Sequence, residues 1–596
     1  MKRLVLLLCL AGCASTPPES EGFSDVAASY RALAEVGMKR ASPVTLDALR
    51  SQGWSDLSYS AAATNFEEVA EKGSIDWLHA SELRLYAGGR ENAFLGARDA
   101  WNWLEATKGG TTGSPELRRI AVALYNHNVA LYASLVNWKK PIPIELVNIR
   151  RVRLRREGYA REPWTELRPT YTESTKEFPA RIATKGVGGP LFAILPDTQE
   201  RRSKYPYLYP GPYAMPLTAM LRFETNRATL VLHDPQATPS VDWFGTPTPL
   251  RADYAAAWAY SMRNRPIDIV AMSKTGSHQP KAGTEHMYAL QLPREDRRVL
   301  LFVHGLNSSP RAFTQLAIRL MRDPRIRTNY QFIAYQYDTG HPLMINNILF
   351  RHRLRRFYDW FQEAAPKAYG MGTVAIGHSM GGLQIKPLAQ RSDFQLWDRV
   401  FTVRPDQLDL DTQAGRIARL GLIFEPMPEI RRLVFLAVPH QGSGMARGII
   451  GAIGKSSIRT DPRVDQLRRS VVDKYGDQLR PEIKAELLAK HTSVDSLSPG
   501  DFYLSGIGRL RIEVPYHSLI GDKNGSTTNP TSDTVVPYES AHLDGAASEK
   551  IMRWAHNLAA APEAEKEVRR ILLLHLEQER SSGTSSGTSS GSSSGK

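Results

Sequence analysis

A glycine-framed serine stands at Ser379 in TVAIGHSMGGLQ, residues 373–384. A serine hydroxyl is a poor nucleophile unless a base takes its proton and fixed donors hold the oxyanion that its attack creates. TVAI is a buried-strand run, Gly377 and Gly381 permit a tight turn, and a helix is expected from Met380. Such a strand-turn-helix elbow lifts the Oγ above the C-terminal edge of a sheet, and the helix N-terminus favours developing negative charge. The pattern alone does not suffice. Gly583-Thr-Ser585-Ser-Gly587, Gly587-Thr-Ser589-Ser-Gly591 and Gly591-Ser-Ser593-Ser-Gly595 repeat it in a Ser/Gly-rich tail over 581–596, where nothing is expected to hold a side chain in place. Downstream of Ser379 the chain offers two acids, Asp522 at the end of HSLIGD and Asp533 in SDTVVPY, and three bases, His542, His556 and His575.

The elements that must position these groups follow residue 291. RRVLLFVHG, QFIAYQYDTG, TVAIGHS, RRLVFLAVPH and VPYHSLIGD read as strands, while NNILFRHRLRRFYDWFQEAA and EAEKEVRRILLLHLEQE read as helices. Short, nearly continuous apolar strands alternating with helices predict an α/β fold with a mostly parallel sheet covered on both faces.

Four ordered motifs in this region resemble the α/β-hydrolase superfamily in its lipase and esterase branch: VLLFVHGLN at 299–307, GHSMGG, FLAVPHQGS at 435–443 and SDTVVPYESA at 532–541. The resemblance covers about residues 291–578. It implies a nucleophile at Ser379 and an oxyanion hole made by the N–H groups of Leu306 and Met380. His304 and Gly305 would shape the oxyanion loop, Gly377, His378 and Gly381 the elbow, and His440 the loop over the site. The similar lipases place their acid in D-x-V-V-P, which favours Asp533, although Thr534 replaces the usual glycine and Asp522 stays open as the alternative. In the order Ser, Asp, His the base is expected between the last strand and the closing helix. That position is His556, with Trp554-Ala555 where the family often has Gly or Ser. His542 lies close behind the acid, and His575 falls inside the final helix.

Upstream, residues 23–140 carry apolar positions at helical spacing, as in NFEEVAEKG, ENAFLGARDAWNWLEATKGG and SPELRRIAVALYNHNVALYASLV, and predict an all-α domain without a fixed repeat period. Residues 141–290 are expected to be β-rich, either a subdomain or the first strands of the hydrolase. IRRVRLRRE at 149–157 alternates Arg with apolar residues, as a half-buried strand with a basic outer face would. Within 291–580 an insertion over 442–500 opens with GSGMARGIIGAIGKSSIR, which suits either a lid or a buried helix start.

At the N-terminus, Lys2, Arg3 and the apolar run Leu4–Leu10 form a signal too short to span a bilayer. Leu10-Ala11-Gly12-Cys13 resembles a bacterial lipobox, which implies removal of 1–12, lipidation of Cys13, a tether over 13–22 and a place in the bacterial envelope. Ala14 after the cysteine points to the outer membrane. Both cysteines, Cys9 and Cys13, lie in this region, so no disulfide is expected.

Composition fits a globular chain: 42% hydrophobic, 23% charged, mean hydropathy −0.35, which excludes a multi-span membrane protein. The net charge of +15 suits a basic surface facing an anionic envelope, and no base-reading motif points to nucleic acid. No metal motif is present, so no metal or other cofactor is expected. The expected substrate is an ester, in particular a lipid or acyl ester. The open alternatives are an acyltransferase using the same triad, an amidase or peptidase, and a non-catalytic envelope adaptor. The helical domain is the surface expected to meet a protein partner.

Overall fold

The computed structural model describes residues 56–108, 115–136, 138, 152–176, 182–264, 286–442, 462–489, 492–525 and 531–585. The expected signal, lipidation site and tether lie outside these residues, as do the GIIGAIGKSSIR stretch and the tail beyond residue 585, with the motifs of Ser589 and Ser593 and the end of that of Ser585. The chain divides into two compact units, the first comprising 1–201 with 210–266 and the second 202–209 with 267–596.

In the first unit, helices α1 (Asp56–Val69), α2 (Asp76–Ala87), α3 (Gly89–Ala106) and α4 (Pro115–Leu135) precede a five-stranded sheet. Its strands are β1 (Val152–Arg156), β2 (Glu166–Pro169), β3 (Gly189–Leu195), β4 (Tyr213–Glu224) and β5 (Arg227–His233), in the order β1-β5-β4-β3-β2. The helices and this sheet share one core, which corrects the separate helical domain expected over 23–140. Tyr125 of α4 donates its hydroxyl to the Leu221 carbonyl at 2.7 Å, and a Cβ at Gly189 would stand 2.4 Å from the Ala130 nitrogen. Helix and strand backbones are therefore in direct contact. α2 falls within the stretch expected to be helical, whereas α5 (Tyr254–Arg263) stands in the segment expected to be β-rich. Gly88 and Gly89, at φ 69° and 76°, turn the chain from α2 into α3, and α5 is capped by Asp253, whose side chain accepts from Ala255 and Ala256 N–H.

The second unit is built on a seven-stranded sheet. Its strands are β6 (His286–Ala289), β7 (Arg298–Val303), β8 (Tyr330–Gln336), β9 (Thr373–His378), β10 (Ile430–Leu436), β11 (Tyr516–Gly521) and β12 (Ser548–Met552), in the order β6-β8-β7-β9-β10-β11-β12. All neighbours pair in parallel except β6, whose His286 stands opposite Gln336 in an antiparallel edge. The sheet thus begins before residue 291, in the segment expected to hold either a β-rich subdomain or the first strands of the hydrolase, and residues 202–209 join this unit through a bridge from Leu208 to Ala289. Every residue of β8 and β9 is buried, as strands covered on both faces require. Helix α6 (Leu343–Ala364) covers the sheet with Phe350, Leu354, Phe357 and Phe361. Helix α7 (Met380–Ile385) follows β9. Within the expected insertion, α8 (Pro462–Tyr475) and α9 (Pro481–Leu488) are described. The closing helix α10 (Pro562–Ser585) runs five residues into the expected tail.

Candidate active site

β9 delivers Ser379 directly to the N-terminus of α7, at φ 54° and ψ −129°. A positive φ is costly for a residue with a Cβ and persists only where its surroundings impose it. Here they do. The Ser379 N–H donates to the Leu436 carbonyl at 2.9 Å, so the strand ladder reaches the serine itself. A Cβ at Gly377 would stand 2.5 Å from the Gly382 Cα, and one at Gly381 would stand 2.1 Å from the Val303 carbonyl. Only glycine lets the turn close and the helix abut the end of β7. Gly382, not singled out in the sequence, is held equally tightly, 2.1 Å from a Val438 methyl.

The candidate acid and base arrive from the two strands beyond β10. After β11, Asp533 is 1% exposed, and its Oδ1 accepts from the Val535 and Val536 N–H groups at 2.8 and 2.7 Å. Its Oδ2 accepts from His556 Nδ1 at 2.7 Å. After β12, His556 places Nε2 2.9 Å from the Ser379 Oγ. A serine, an imidazole and a carboxylate, widely separated in sequence, thus form one hydrogen-bonded chain. Gly521, at the end of β11, makes the convergence possible: a Cβ there would stand 2.8 Å from both the Asp533 Cβ and the Trp554 carbonyl. It left no signal beyond its place at a strand end.

A mostly parallel sheet with an antiparallel edge, a nucleophile elbow after a central strand, and an acid and a histidine after the next two strands but one decide the architecture. The second unit has the α/β-hydrolase fold. No protein-family model and no curated protein matches the sequence. Solved structures similar to the chain include a lipase of Bacillus licheniformis in mature form, at 17% identity and TM-score 0.28, covering 48% of this chain and 98% of that one. A lipase-esterase related protein of Clostridium acetobutylicum matches at 14% identity and TM-score 0.24, covering 49% and 99%. An esterase of Pyrococcus furiosus matches at 14% identity and TM-score 0.24, covering 48% and 83%.

Some of the remaining candidates of the second unit fall beside the hydrogen-bonded chain and others lie apart from it. Gly305 sits against the elbow, where a Cβ would stand 2.9 Å from that of Ser379, which brings the half-buried Leu306 close to that serine. Among the described hydrogen bonds, neither the Leu306 nor the Met380 N–H has an acceptor. His304 is fully buried, stacks on Tyr337 at 4.5 Å and donates Nδ1–H to the Gly305 carbonyl at 3.0 Å; burial holds its pKa down to about 4. It shapes the loop without touching the serine. Two residues absent from the expectations hold that loop from below: the Tyr337 hydroxyl donates to the His304 carbonyl at 2.7 Å, and Thr339 Oγ1 accepts the Asn307 N–H at 3.2 Å. Polar side chains ending an apolar strand, in QYDTG, were the available signal.

Asp522 is not brought to the histidine. It is buried, and its Oδ1 accepts from Thr531 N–H and hydroxyl at 3.3 and 3.0 Å, holding the segment that leads into Asp533. His542 instead pairs with Glu549 at 2.6 Å, which raises its pKa. His575 lies against Arg432 in α10, where burial first and that guanidinium second push its pKa down to about 3. The His440 N–H donates to the Ser540 carbonyl at 2.8 Å, tying the PHQG turn to the segment after the acid. Among the described residues no group of three or more His, Cys, Asp or Glu is placed to hold a metal ion, and no helix is long and apolar enough to cross a membrane.

Proposed function

We propose that the chain is a serine hydrolase of carboxylic esters that works through an acyl-enzyme. The observation that carries this reading is the hydrogen-bonded chain from Ser379 Oγ to His556 to Asp533, set on an elbow with a positive φ. His556 takes the Ser379 proton as Oγ attacks the ester carbonyl, and Asp533 orients the imidazole and stabilises its charged form. The Leu306 and Met380 N–H groups, without an acceptor among the described hydrogen bonds, hold the oxyanion. His556 then protonates the leaving alcohol, and water, activated by the same imidazole, releases the acyl group.

The lipase-like PHQGS segment and the lipobox-like leader support a lipid or acyl ester as substrate and an anchor at Cys13 in the bacterial envelope, on the outer membrane. Hydrolysis of a graded series of p-nitrophenyl esters, from acetate to long acyl chains, tests the reading against Ser379→Ala. The expected outcome is turnover by the wild type that rises with acyl length and is lost in the variant. Equal turnover by both proteins would rule the reading out. Product analysis with added alcohols separates hydrolysis from acyl transfer.

A further inference from the structure

The residue before the nucleophile makes a contact that the reaction scheme above does not use. His378, the last residue of β9, is 8% exposed, and its Nε2 lies 2.8 Å from the main-chain carbonyl of His556. Its other nitrogen, Nδ1, is buried and has no hydrogen-bond partner among the described residues, so the proton belongs on Nε2, where the acceptor is. We propose that His378 is the positioning residue for the general base, its Nε2–H fixing the backbone of His556 so that the imidazole meets Ser379 and Asp533 together. The inference rests on the ester-hydrolase reading of that site.

The loop between β12 and the short turn at Leu558–Ala560 needs such a restraint. Asp533 and Ser379 grip only the imidazole of His556, which is 22% exposed. The His556 carbonyl accepts two donors, the Leu558 N–H at 2.8 Å from within the loop and His378 Nε2 from outside it. Only the second ties the loop to the strand that carries the nucleophile. His378 is itself well fixed. It stands in register with Leu436 on β10, and a Cβ at Gly305 would come within 3.3 Å of Nδ1, so the oxyanion loop closes over one side of the ring.

Imidazole chemistry suits this place. The two rings lie 5.0 Å apart, and His556 must become positively charged as it takes the serine proton. A permanent cation at 378 would oppose that charge at close range in a poorly solvated setting. Burial first, and the neighbouring His556 second, hold the His378 pKa down to about 4, so it stays a neutral donor through the neutral range. Lysine or arginine in this position would donate but also repel.

The test compares His378→Leu and His378→Phe, which fill space without a donor, with His378→Gln, which keeps an N–H near the position of Nε2. In a folded Leu or Phe variant, kcat is expected to fall about 10- to 100-fold with KM nearly unchanged. The acid limb of the kcat/KM profile is expected to move to lower pH as His556 loosens from Asp533, and Gln is expected to restore most of both. A packing role alone would lower the melting temperature, leave the limb in place and gain nothing from Gln. That result overturns the proposal, as does failure of both apolar variants to fold. Fluorophosphonate labelling of the wild type separates the two claims. An unlabelled wild type refutes the ester-hydrolase reading, whereas a labelled wild type with unaffected His378 variants refutes only the role of His378.

Discussion

Thr534 follows the acid at φ 85°, a backbone angle that glycine adopts freely and a β-branched residue does not. The similarity to D-G-V-V-P is thereby explained physically, since glycine removes the strain that Thr534 carries. Thr534→Gly is expected to raise stability by up to about 1 kcal/mol, with ester hydrolysis retained, as denaturant midpoints and turnover will show. The two candidate acids also separate at this scale. Asp533→Asn leaves the shape of the site but favours the wrong tautomer of His556, and kcat is expected to drop by about 10³–10⁴. Asp522→Ala frees the Thr531 N–H and hydroxyl instead. It is expected to cost about 1–3 kcal/mol of stability while leaving measurable turnover. Equal losses of activity from the two substitutions would contradict the assignment of Asp533.

Elements divide into those whose local pattern dictates them and those that only distant contacts define. β7, β9 and the elbow were legible because VLLFV and TVAIGH are apolar runs that end in glycine-permitted turns. The preference for Asp533 over Asp522 came only from the resemblance to D-x-V-V-P, because both follow β11 and spacing alone says nothing about which side chain turns to the histidine. The bounds of α2 are less legible than its helical character, because DWLHASELRLYA lacks a clean apolar stripe. The merger of helices and sheet in the first unit escaped for another reason: the Tyr125 to Leu221 hydrogen bond joins residues far apart in the chain. Just beyond α7, Lys386 is 1% exposed and its ammonium has no hydrogen-bond partner among the described residues. Burial lowers its pKa from 10.5 to about 8. Between those two values the unfolded chain holds a proton that the folded chain has released, so stability rises with pH across about 8 to 10.5. Lys386→Met is expected to remove that part of the slope and to gain about 1–3 kcal/mol at neutral pH. Denaturant midpoints of both proteins at pH 7 and 9 measure it.

Over the whole molecule, one unit holds the Ser379, His556 and Asp533 chain and the other holds helices and a five-stranded sheet in a core of their own. The proposed anchor at Cys13 is far in sequence from all three residues of that chain, so localisation and chemistry are expected to separate. Cys13→Ala is expected to shift the protein from the membrane to the soluble fraction of the envelope, with turnover of short soluble esters unchanged; loss of both together would argue against a simple tether. The central claim is that Ser379 is the nucleophile, and mass mapping after reaction with a fluorophosphonate tests it most directly. The account predicts a single phosphonyl adduct on the peptide containing Ser379, absent from Ser379→Ala. An adduct on another residue of the wild type, or labelling that persists in the variant, would contradict it.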